Sequence, residues 1–249
     1  MKQTPLFNIL NRVDSTNNYA MAMVHEGMAK HGMAWFAREQ TDGKGQRGKQ
    51  WISEPGSNII LSITLQPSTV FISNPFYLSA TVAVACNEFL EHLTEKKFCI
   101  KWPNDLYRGD RKTGGILIEN NYSGGKWNWA VIGIGINVNQ TLFENGLQQA
   151  ISLKEISGRE DLDPAQLADE LRAYIIEKFN AAEGAHAADL MMQYNSFLYK
   201  KDKTVRLKKE NAVFATTIKK VNEFGQLITE DSLQRTFNFG EVEWVPEPV

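Results

Sequence analysis

Glycines and cations alternate in one short segment, EQTDGKGQRGKQW, at residues 39–51. The glycines permit backbone conformations in which successive N–H groups converge on an anion. The cations can donate charged hydrogen bonds to phosphate or carboxylate oxygens. The segment contains three residues of each kind: Gly43, Gly45 and Gly48, with Lys44, Arg47 and Lys49. A solvated basic loop is the ordinary alternative, but glycine at alternate positions favours an anion site.

Three familiar motifs are excluded by residue type and context. Residues 43–49 fit the GxxxxGK part of a P-loop, but Gln50 stands where a Mg²⁺-binding Ser or Thr is needed, and a strand follows instead of a helix. GIGINV at 133–138 lacks the last glycine of a dinucleotide motif. Ala29 occupies the second histidine position of HExxH, and the four histidines have no partners at metal-ligand spacing.

A second candidate is the segment KWPNDLYRGDRKTGGILIEN at residues 101–120. Asp105 could hold a metal or orient a base, and Lys112 could neutralise charge that grows on a phosphate or carboxylate oxygen. Gly114 and Gly115 stand at a strand entrance, where glycine usually allows close approach of backbone or ligand. A turn with a surface ion pair explains the same residues without chemistry, and the segment alone does not decide between the two interpretations.

Two further motifs favour the chemical interpretation. In GIGIN at residues 133–137 the glycines leave room for a flat or apolar ligand, and the amide of Asn137 can read the hydrogen-bonding edge of a base. DSTN at residues 14–17 adds hydroxyl and amide groups at a predicted helix start, although a simple N-cap is the alternative. Trp51 offers a face for stacking, although burial is the commoner use of tryptophan.

Hydrophobic periodicity predicts the elements that carry these motifs. Helices are predicted from Asp14 or Ser15 to the Gly27–Gly32 region, over 75–93, over 164–182 and over 186–198. Strands are predicted over 33–39, 58–65, 98–102, 114–122 and 127–138, the last two joined by a hairpin turn at 123–125. After Lys200 the chain changes to short alternating runs, which predict a small barrel following an α+β body.

Composition narrows the class of protein. The 249 residues contain 27 Lys and Arg against 29 Asp and Glu, for a net charge of −2, which argues against a dedicated nucleic-acid binder. Cys86 and Cys99 are interpreted as small buried thiols. The N-terminus lacks a signal-peptide apolar region, and no stretch approaches the ~18 apolar residues of a membrane span. We therefore expect a cytoplasmic protein without a membrane partner.

In this order, the four motifs resemble those of the biotin–protein ligases, the biotin–acetyl-CoA-carboxylase ligase family. The resemblance spans almost the whole chain, and KWPNDL followed by RKTGGIL is its most specific part. The matching segments are 14–20, 39–51, 101–117 and 131–138.

The resemblance implies an α+β fold in two domains. Residues 1–198 would form a catalytic domain with a mixed or antiparallel sheet, related to class II aminoacyl-tRNA synthetases and lipoate ligases. Residues 199–249 would form a small SH3-like C-terminal β-barrel. The implied reaction has two steps: biotin and Mg²⁺-ATP give biotinyl-5′-AMP and pyrophosphate, and a lysine of a biotin carboxyl carrier domain then takes the biotinyl group and releases AMP.

The resemblance also implies roles for single residues. Lys112, Asp105, Arg47 and Lys49 are the implied catalytic residues, with Asp105 facing the metal or the incoming lysine. The implied biotin contacts are Ser15, Thr16, Gln40, Gly43, Lys44, Lys112, Gly115 and Gly133. The implied contacts of ATP or the adenylate are Lys44, Gln46, Arg47, Lys49, Trp51, Asn104, Lys112 and Asn137.

The sequence departs from the family at two places. The family loop usually reads GRGRxGR, whereas Lys44, Gln46 and Lys49 replace its arginines here; lysine loses the bidentate fork and Gln46 loses the charge. Only 13 residues precede DSTN, so we expect no DNA-binding domain and a monofunctional ligase without a DNA partner. A homodimer is one of the two assemblies that the resemblance allows.

Two other functions stay open at this point. A lipoate or octanoate ligase on the same scaffold would need a pocket for a long chain, whereas the polar groups of DSTN and Gln40 favour a polar ring. A non-catalytic small-molecule sensor would need neither Lys112 nor Asp105.

Overall fold

The computed structural model describes residues 6–143, 149–182, 184 and 187–245. Its larger sheet has seven strands in the order β1-β2-β3-β7-β6-β5-β4. The pair β1–β2 is parallel and the other pairs are antiparallel, so the predicted mixed sheet is confirmed. The strands are β1 (Phe7–Val13), β2 (Met33–Gln40), β3 (Asn58–Leu65), β4 (Cys99–Lys101), β5 (Asp105–Arg108), β6 (Arg111–Ser123) and β7 (Lys126–Asn137).

Helices cover both faces of this sheet. They are α1 (Thr16–His25), α2 (Thr69–Ser73), α3 (Pro75–Thr94), α4 (Leu153–Ser157), α5 (Pro164–Ala182) and α6 (Ala187–Ser196). Ala34 and Phe36 of β2 belong to the main core with α3 and α5, whereas Met33 and Trp35 pack with α1. Because neighbouring residues of a strand point to opposite faces, α1 lies across the sheet from α3 and α5. All of β3 is therefore buried, although Ser62 and Thr64 interrupt its apolar sequence.

A second sheet follows in the C-terminal part of the chain. Its order is β11-β10-β9-β8-β12, and every pair is antiparallel, as expected for an SH3-like domain. The strands are β8 (Thr204–Lys209), β9 (Ala212–Val221), β10 (Leu227–Glu230), β11 (Gln234–Phe237) and β12 (Glu243–Val245). Leu207 and Ile218 join the same hydrophobic core as the large sheet. The α+β fold class is confirmed.

Local signals explain which elements were predicted. α3 begins at Pro75, as predicted, after Asn74 accepts a capping hydrogen bond from the Phe76 N–H. α1 begins after Ser15, although no side chain caps it; Asp14 instead accepts from the amide of Asn18, which lowers the pKa of Asp14.

Four short or polar elements were missed. They are β1, α2, α4 and β5. β1 is a half-exposed edge strand without clean alternation, and β5 has four residues in the segment interpreted as a turn. The predicted start of α6, at residue 186, lies outside the described residues.

The two cysteines are free thiols, as expected. Cys86 is fully buried in the main core, and burial raises its pKa. Cys99 is half-buried, and burial raises its pKa to about 11. None of the helices in the described ranges is long and apolar enough to cross a bilayer.

Candidate functional site

Three glycines, Gly115, Gly133 and Gly135, leave part of the sheet face that α1 covers without side chains of its own, and we call this glycine-lined part the opening. The register places Gly115 of β6 beside Gly135 of β7, and Leu117 beside Gly133. The carboxamide of Asn17 lies against Gly133, and the indole of Trp51 lies against Gly135, so that a Cβ atom at either glycine would overlap them. Gly133 and Gly135 therefore accommodate the protein's own side chains, and the predicted room for a ligand beside GIGIN stays a prediction.

Lys112 and Asp105 meet next to this opening. The Lys112 ammonium lies 2.7 Å from Oδ1 of Asp105, and both side chains are about 30% exposed, at 31% and 28%. A Cβ atom at Gly115 would lie 3.4 Å from that carboxylate oxygen and 3.5 Å from the ammonium. The Lys112 ammonium also lies 5.8 Å from the centre of the Trp51 ring system. A cation, a carboxylate and an aromatic face thus surround a glycine-lined opening.

The β5–β6 hairpin places Lys112 and Asp105. Asp105 pairs with Gly115 in the register of the hairpin. Asn104 fixes its base, since its side-chain amide donates to the carbonyl of Ile116 at 2.5 Å and its own carbonyl accepts the Ile116 N–H at 3.0 Å. Asn104, predicted as an adenylate contact, therefore also holds the hairpin.

A buried polar network lies on the same face. Gln40 Oε1 accepts from the backbone N–H of Thr16 at 2.7 Å and from its hydroxyl at 3.1 Å. The hydroxyl of Ser62 lies 2.8 Å from Thr16 Oγ1 and 2.6 Å from Asn17 Oδ1. The Asn17 amide donates to Glu119 at 2.7 Å. Such a mixed set of donors and acceptors suits a ligand that presents both N–H and C=O groups.

Three members of this network were not predicted as site residues. Asn17 belongs to the DSTN motif but was not assigned a contact. Ser62 is the polar residue in the middle of NIILSITL, and Glu119 interrupts the apolar run after Gly115. A hydroxyl or carboxylate inside a strand that is otherwise apolar is the signal that identifies them. Ser15, which was predicted, is 1% exposed at the start of α1.

The glycine loop folds back on itself. The N–H of Trp51 donates to the Gly43 carbonyl at 2.8 Å, and the N–H of Gly45 donates to the Lys49 carbonyl at 2.7 Å. Lys44 lies 3.7 Å from Glu119, which connects the loop to the polar network. Lys49 is exposed and forms no ion pair with any residue that the structure describes. The loop thus brings Gly43, Lys44 and Trp51 to the site face.

Other predicted adenylate residues lie at a cavity between the two sheets. This cavity of about 590 Å³ is lined by Gln46, Arg47 and Asn104 on one side and by Phe224 and Phe239 of the C-terminal sheet on the other. Arg47 adopts a left-handed conformation, with φ 57°, and its guanidinium lies against Gly240. The structure therefore places Arg47 at this cavity, whereas the Trp51 ring lies beside Lys112.

Asn137 lies behind Lys112. It is buried, and its amide lies 3.4 Å from the carbonyl oxygens of Lys112 and Ile151. Asn137 therefore ties the start of β6 to the segment before α4, and its predicted contact with the adenine stays a prediction.

A protein-only metal site is not visible in the described residues. They contain no group of three or more His, Cys, Asp and Glu side chains that could hold an ion. Asp105 is engaged by Lys112. Since Mg²⁺ usually binds through one or two carboxylates together with substrate phosphates, this donor set fits an ion that arrives with a nucleotide. The assignment of Asp105 as a metal ligand stays a prediction.

Several known proteins are similar to this chain in sequence. The bifunctional ligase/repressor BirA of Escherichia coli is 36% identical over 171 residues, which are 66% of this chain and 52% of BirA. The biotin–[acetyl-CoA-carboxylase] ligase of Paracoccus denitrificans is 32% identical over 170 residues, 66% of this chain and 68% of that protein. The chain spans about half the length of the bifunctional relatives that it matches.

A solved structure extends the similarity to the whole chain. The biotin protein ligase of Aquifex aeolicus, in complex with biotin and ATP, has a TM-score of 0.81 at 26% identity, covering 97% of this chain and 99% of that one. The model of the biotin/lipoate A/B protein ligase family matches residues 9–137, which contain DSTN, the glycine loop, KWPNDL with RKTGGIL, and GIGIN. The chain belongs to the biotin/lipoate A/B protein ligase family.

Proposed function

We propose that this protein is a biotin–[acetyl-CoA-carboxylase] ligase, which activates biotin with ATP and attaches it to a lysine of a biotin carboxyl carrier domain. The Lys112–Asp105 pair beside Trp51 and the glycine-lined opening is the observation that carries the proposal. Relatives named as biotin ligases, and a related structure that holds biotin and ATP, support it.

In the first step, a carboxylate oxygen of biotin attacks the α-phosphorus of ATP. A new P–O bond forms while the bond to pyrophosphate breaks, which leaves biotinyl-5′-AMP. Two anions must meet for this reaction, and Lys112 is the fixed cation placed to offset their repulsion. Lys44, Arg47 and Lys49 add positive charge from the loop. Mg²⁺ enters as the Mg²⁺-ATP complex, in which it neutralises phosphate charge.

In the second step, the amine of the acceptor lysine attacks the acyl carbon. A C–N bond forms, the C–O bond to the phosphate breaks, and AMP leaves with the electron pair. The acceptor lysine gives one proton to solvent to become a neutral amine before the attack, and loses a second proton to the carboxylate of Asp105 as the amide forms. The carboxylate of Asp105 stands at the edge of the opening and is the group placed to receive that amine.

The polar network favours biotin over lipoate. The ureido ring of biotin presents two N–H groups and one C=O group, and Thr16, Gln40, Ser62 and Asn17 provide matching acceptors and donors. Lipoate has no such ring and offers no N–H or C=O groups that could exchange hydrogen bonds with this network. A sensor without catalysis is disfavoured because it needs no paired lysine and carboxylate at the opening.

Mass spectrometry of an acceptor tests the proposal. The protein is incubated with ATP, Mg²⁺, a biotin carrier domain and either biotin or lipoate. We expect the carrier to gain the mass of one biotinyl group, with no lipoyl product. A lipoyl product would instead establish the lipoate ligase, and ligand binding without pyrophosphate release or carrier modification would establish the sensor.

A further inference from the structure

Lys101 lies in a cage of aromatic rings beside the proposed active site. It is the last residue of β4, and its ammonium donates to the hydroxyl of Tyr107 at 3.2 Å. The ammonium lies 4.7 Å from the ring centre of Tyr107, 5.6 Å from that of Tyr199 and 5.3 Å from that of Trp244. The aromatic rings replace part of the hydration that a half-buried ammonium loses.

The register directs this lysine toward the reacting groups. Lys101 pairs with Asp105 across β4 and β5, and Asp105 pairs with Gly115 across β5 and β6. Directly opposed residues of antiparallel strands project from the same face, about 5 Å apart at Cβ. Lys101 therefore flanks Asp105 on the side away from Gly115, and Lys112 is the ammonium that forms the ion pair with that carboxylate.

Lys101 is an unpaired cation within the described part of the chain. It forms no salt bridge there, and its polar partner is the neutral Tyr107 hydroxyl. Burial lowers the pKa of Lys101; the charge of Asp105 opposes this effect, and the charges of Lys112 and Lys49 add to it. Keeping a charge in such a place is costly. The mechanism described above does not use this residue.

The cage joins the catalytic hairpin to the C-terminal sheet. Tyr107 belongs to β5, Tyr199 to the connection after α6, and Trp244 to β12. The Tyr199 ring lies 5.2 Å from Tyr107 and 5.5 Å from Trp244. One wall of the cage is thus supplied by the domain that provides none of the proposed catalytic residues.

We propose that Lys101 is a positioning residue of the ligase reaction, and that Trp244 of the C-terminal sheet holds its ammonium beside Asp105. This inference rests on the proposed ligase function. The ammonium of Lys101 is a fixed positive charge on the far side of the Asp105–Lys112 pair. It adds to the positive potential in which Lys112 binds the substrate anions. Lys101 itself lies behind the opening and does not bind the biotin ring.

Biotin-dependent pyrophosphate–ATP exchange tests this role. We expect Lys101→Met to lower kcat about tenfold, less than the roughly 10²–10³-fold cost of removing a group that touches the transition-state charge directly, without changing the KM for biotin. Lys101→Arg should retain at least about half of the rate, since arginine keeps the charge and binds aromatic rings. Lys209→Met is the matched control, because Lys209 lies 5.7 Å from the Phe237 ring in the C-terminal sheet and faces no catalytic residue.

A double-mutant cycle tests the link to Trp244. Trp244→Leu should lower kcat about threefold, and the Lys101→Met/Trp244→Leu variant should be no slower than Lys101→Met alone, since coupled residues are not additive. Additive losses would overturn the proposal. So would a Lys101→Arg variant as slow as Lys101→Met, or an equal loss in Lys209→Met.

A measurement without catalysis separates the cage from the ligase function. Reductive methylation of the lysines, followed by peptide mass spectrometry, should modify Lys101 slowly in the wild-type protein and several times faster in Trp244→Leu. Equal rates of Lys101 modification in the wild-type protein and in Trp244→Leu would overturn the proposed role of Trp244. If the wild-type protein shows no biotin-dependent exchange while Lys101 is protected, the proposed function fails and the cage stands.

Discussion

Lys112 and Asp105 reach the same point of the sheet from the two strands of one hairpin. Their types and their spacing in the sequence indicated either a catalytic pair or a surface ion pair. The structure shows a pair at 2.7 Å, about 70% buried, next to glycines and an indole. A surface ion pair, the alternative interpretation, would be exposed and would contribute little to stability. The surroundings of the pair, which no local pattern reports, therefore favour the chemical role.

Gln46 is the residue that departs from the family loop in charge. Its amide lies 3.4 Å from the Ile116 carbonyl, and its side-chain oxygen is buried without a partner among the described residues. We expect Gln46→Arg to slow release of biotinyl-adenylate by about tenfold, since a guanidinium adds charge-assisted hydrogen bonds. Rapid-quench measurement of released adenylate checks this. Gln50→Arg, in the exposed part of the same loop, is the control, and unchanged or faster release from Gln46→Arg would contradict the prediction.

Gly133 tests the close packing of the polar network. A Cβ atom there would overlap the carboxamide of Asn17, which must then leave Ser62 and Glu119. We expect Gly133→Ala to lower the free energy of unfolding by about 1–3 kcal/mol, because the added methyl group overpacks the site. We also expect biotin to bind at least about tenfold more weakly, because the displaced buried donors no longer point at the ligand. Calorimetric titration with biotin measures the second effect. Gly184→Ala is the control, because nothing lies within 4 Å of a Cβ atom there; equal biotin affinity in both variants would contradict the account.

At the scale of elements, the β5–β6 hairpin is held from both ends. Asn104 fixes its base, and its tip is held by Asp110, which accepts from the Tyr199 hydroxyl at 2.7 Å and from the Lys200 ammonium at 2.9 Å. The sequence indicated that a strand begins near Gly114, but it did not indicate that residues 105–108 form a separate strand. Four residues after a proline carry too little periodicity, and it is pairing with β4 and β6 that makes them a strand.

The contacts of Asp110 with Tyr199 and Lys200 form a clasp at the hairpin tip. The pH dependence of the free energy of unfolding tests what this clasp contributes. The hydrogen bonds from Lys200 and Tyr199 lower the pKa of Asp110 below its usual 3.8. When folding lowers the pKa of a carboxyl group, the charged group stabilises the folded state at every pH above its pKa in the unfolded chain. This stabilisation is lost as the pH falls through the pKa of the folded state. We expect Asp110→Asn to cost about 0.5–1 kcal/mol at pH 7, given its exposure, and less as the pH falls below about 4.

Urea unfolding of the wild-type protein and of Asp110→Asn, at pH 7 and at pH 3, measures the difference between their free energies of unfolding. Asp161→Asn is the control, since Asp161 pairs with Arg159 only two residues away and joins no separate elements. Equal stability of the wild-type protein and Asp110→Asn at pH 7 would show that the clasp contributes nothing.

At the scale of the molecule, the order of the long elements was predictable, whereas the contacts between the two sheets were not. Long periodic segments such as α3, α5 and β7 are readable in the sequence because their apolar residues repeat. The N–H of the Trp102 indole donates to the Gly225 carbonyl at 2.9 Å, and Arg47 packs on Gly240. These contacts join residues more than 100 positions apart, and no local spacing encodes them. The predicted boundary after residue 198 falls between the end of α6 at Ser196 and the start of β8 at Thr204.

The same distinction holds for the site. Motif residues Thr16, Gln40 and Lys112 were identified from sequence because they stand in short, specific patterns. Ser62 and Glu119 were not assigned, since each is a single polar residue in a strand, and Lys101 stands in the KWPNDL motif but was given no role. Register and packing bring them to the site face, beside the motif residues.

Biotin-dependent exchange of labelled pyrophosphate into ATP tests the central claim most directly, because it reports adenylate formation without an acceptor. We predict exchange by the wild-type protein only when biotin is present, and a 10²–10³-fold lower rate in Lys112→Met, roughly the effect of removing one fixed group that stabilises a transition-state charge. Lys154→Met, which removes the partner of the exposed Glu160, should exchange at the wild-type rate. Absence of biotin-dependent exchange, or an unimpaired Lys112→Met variant, would contradict the account.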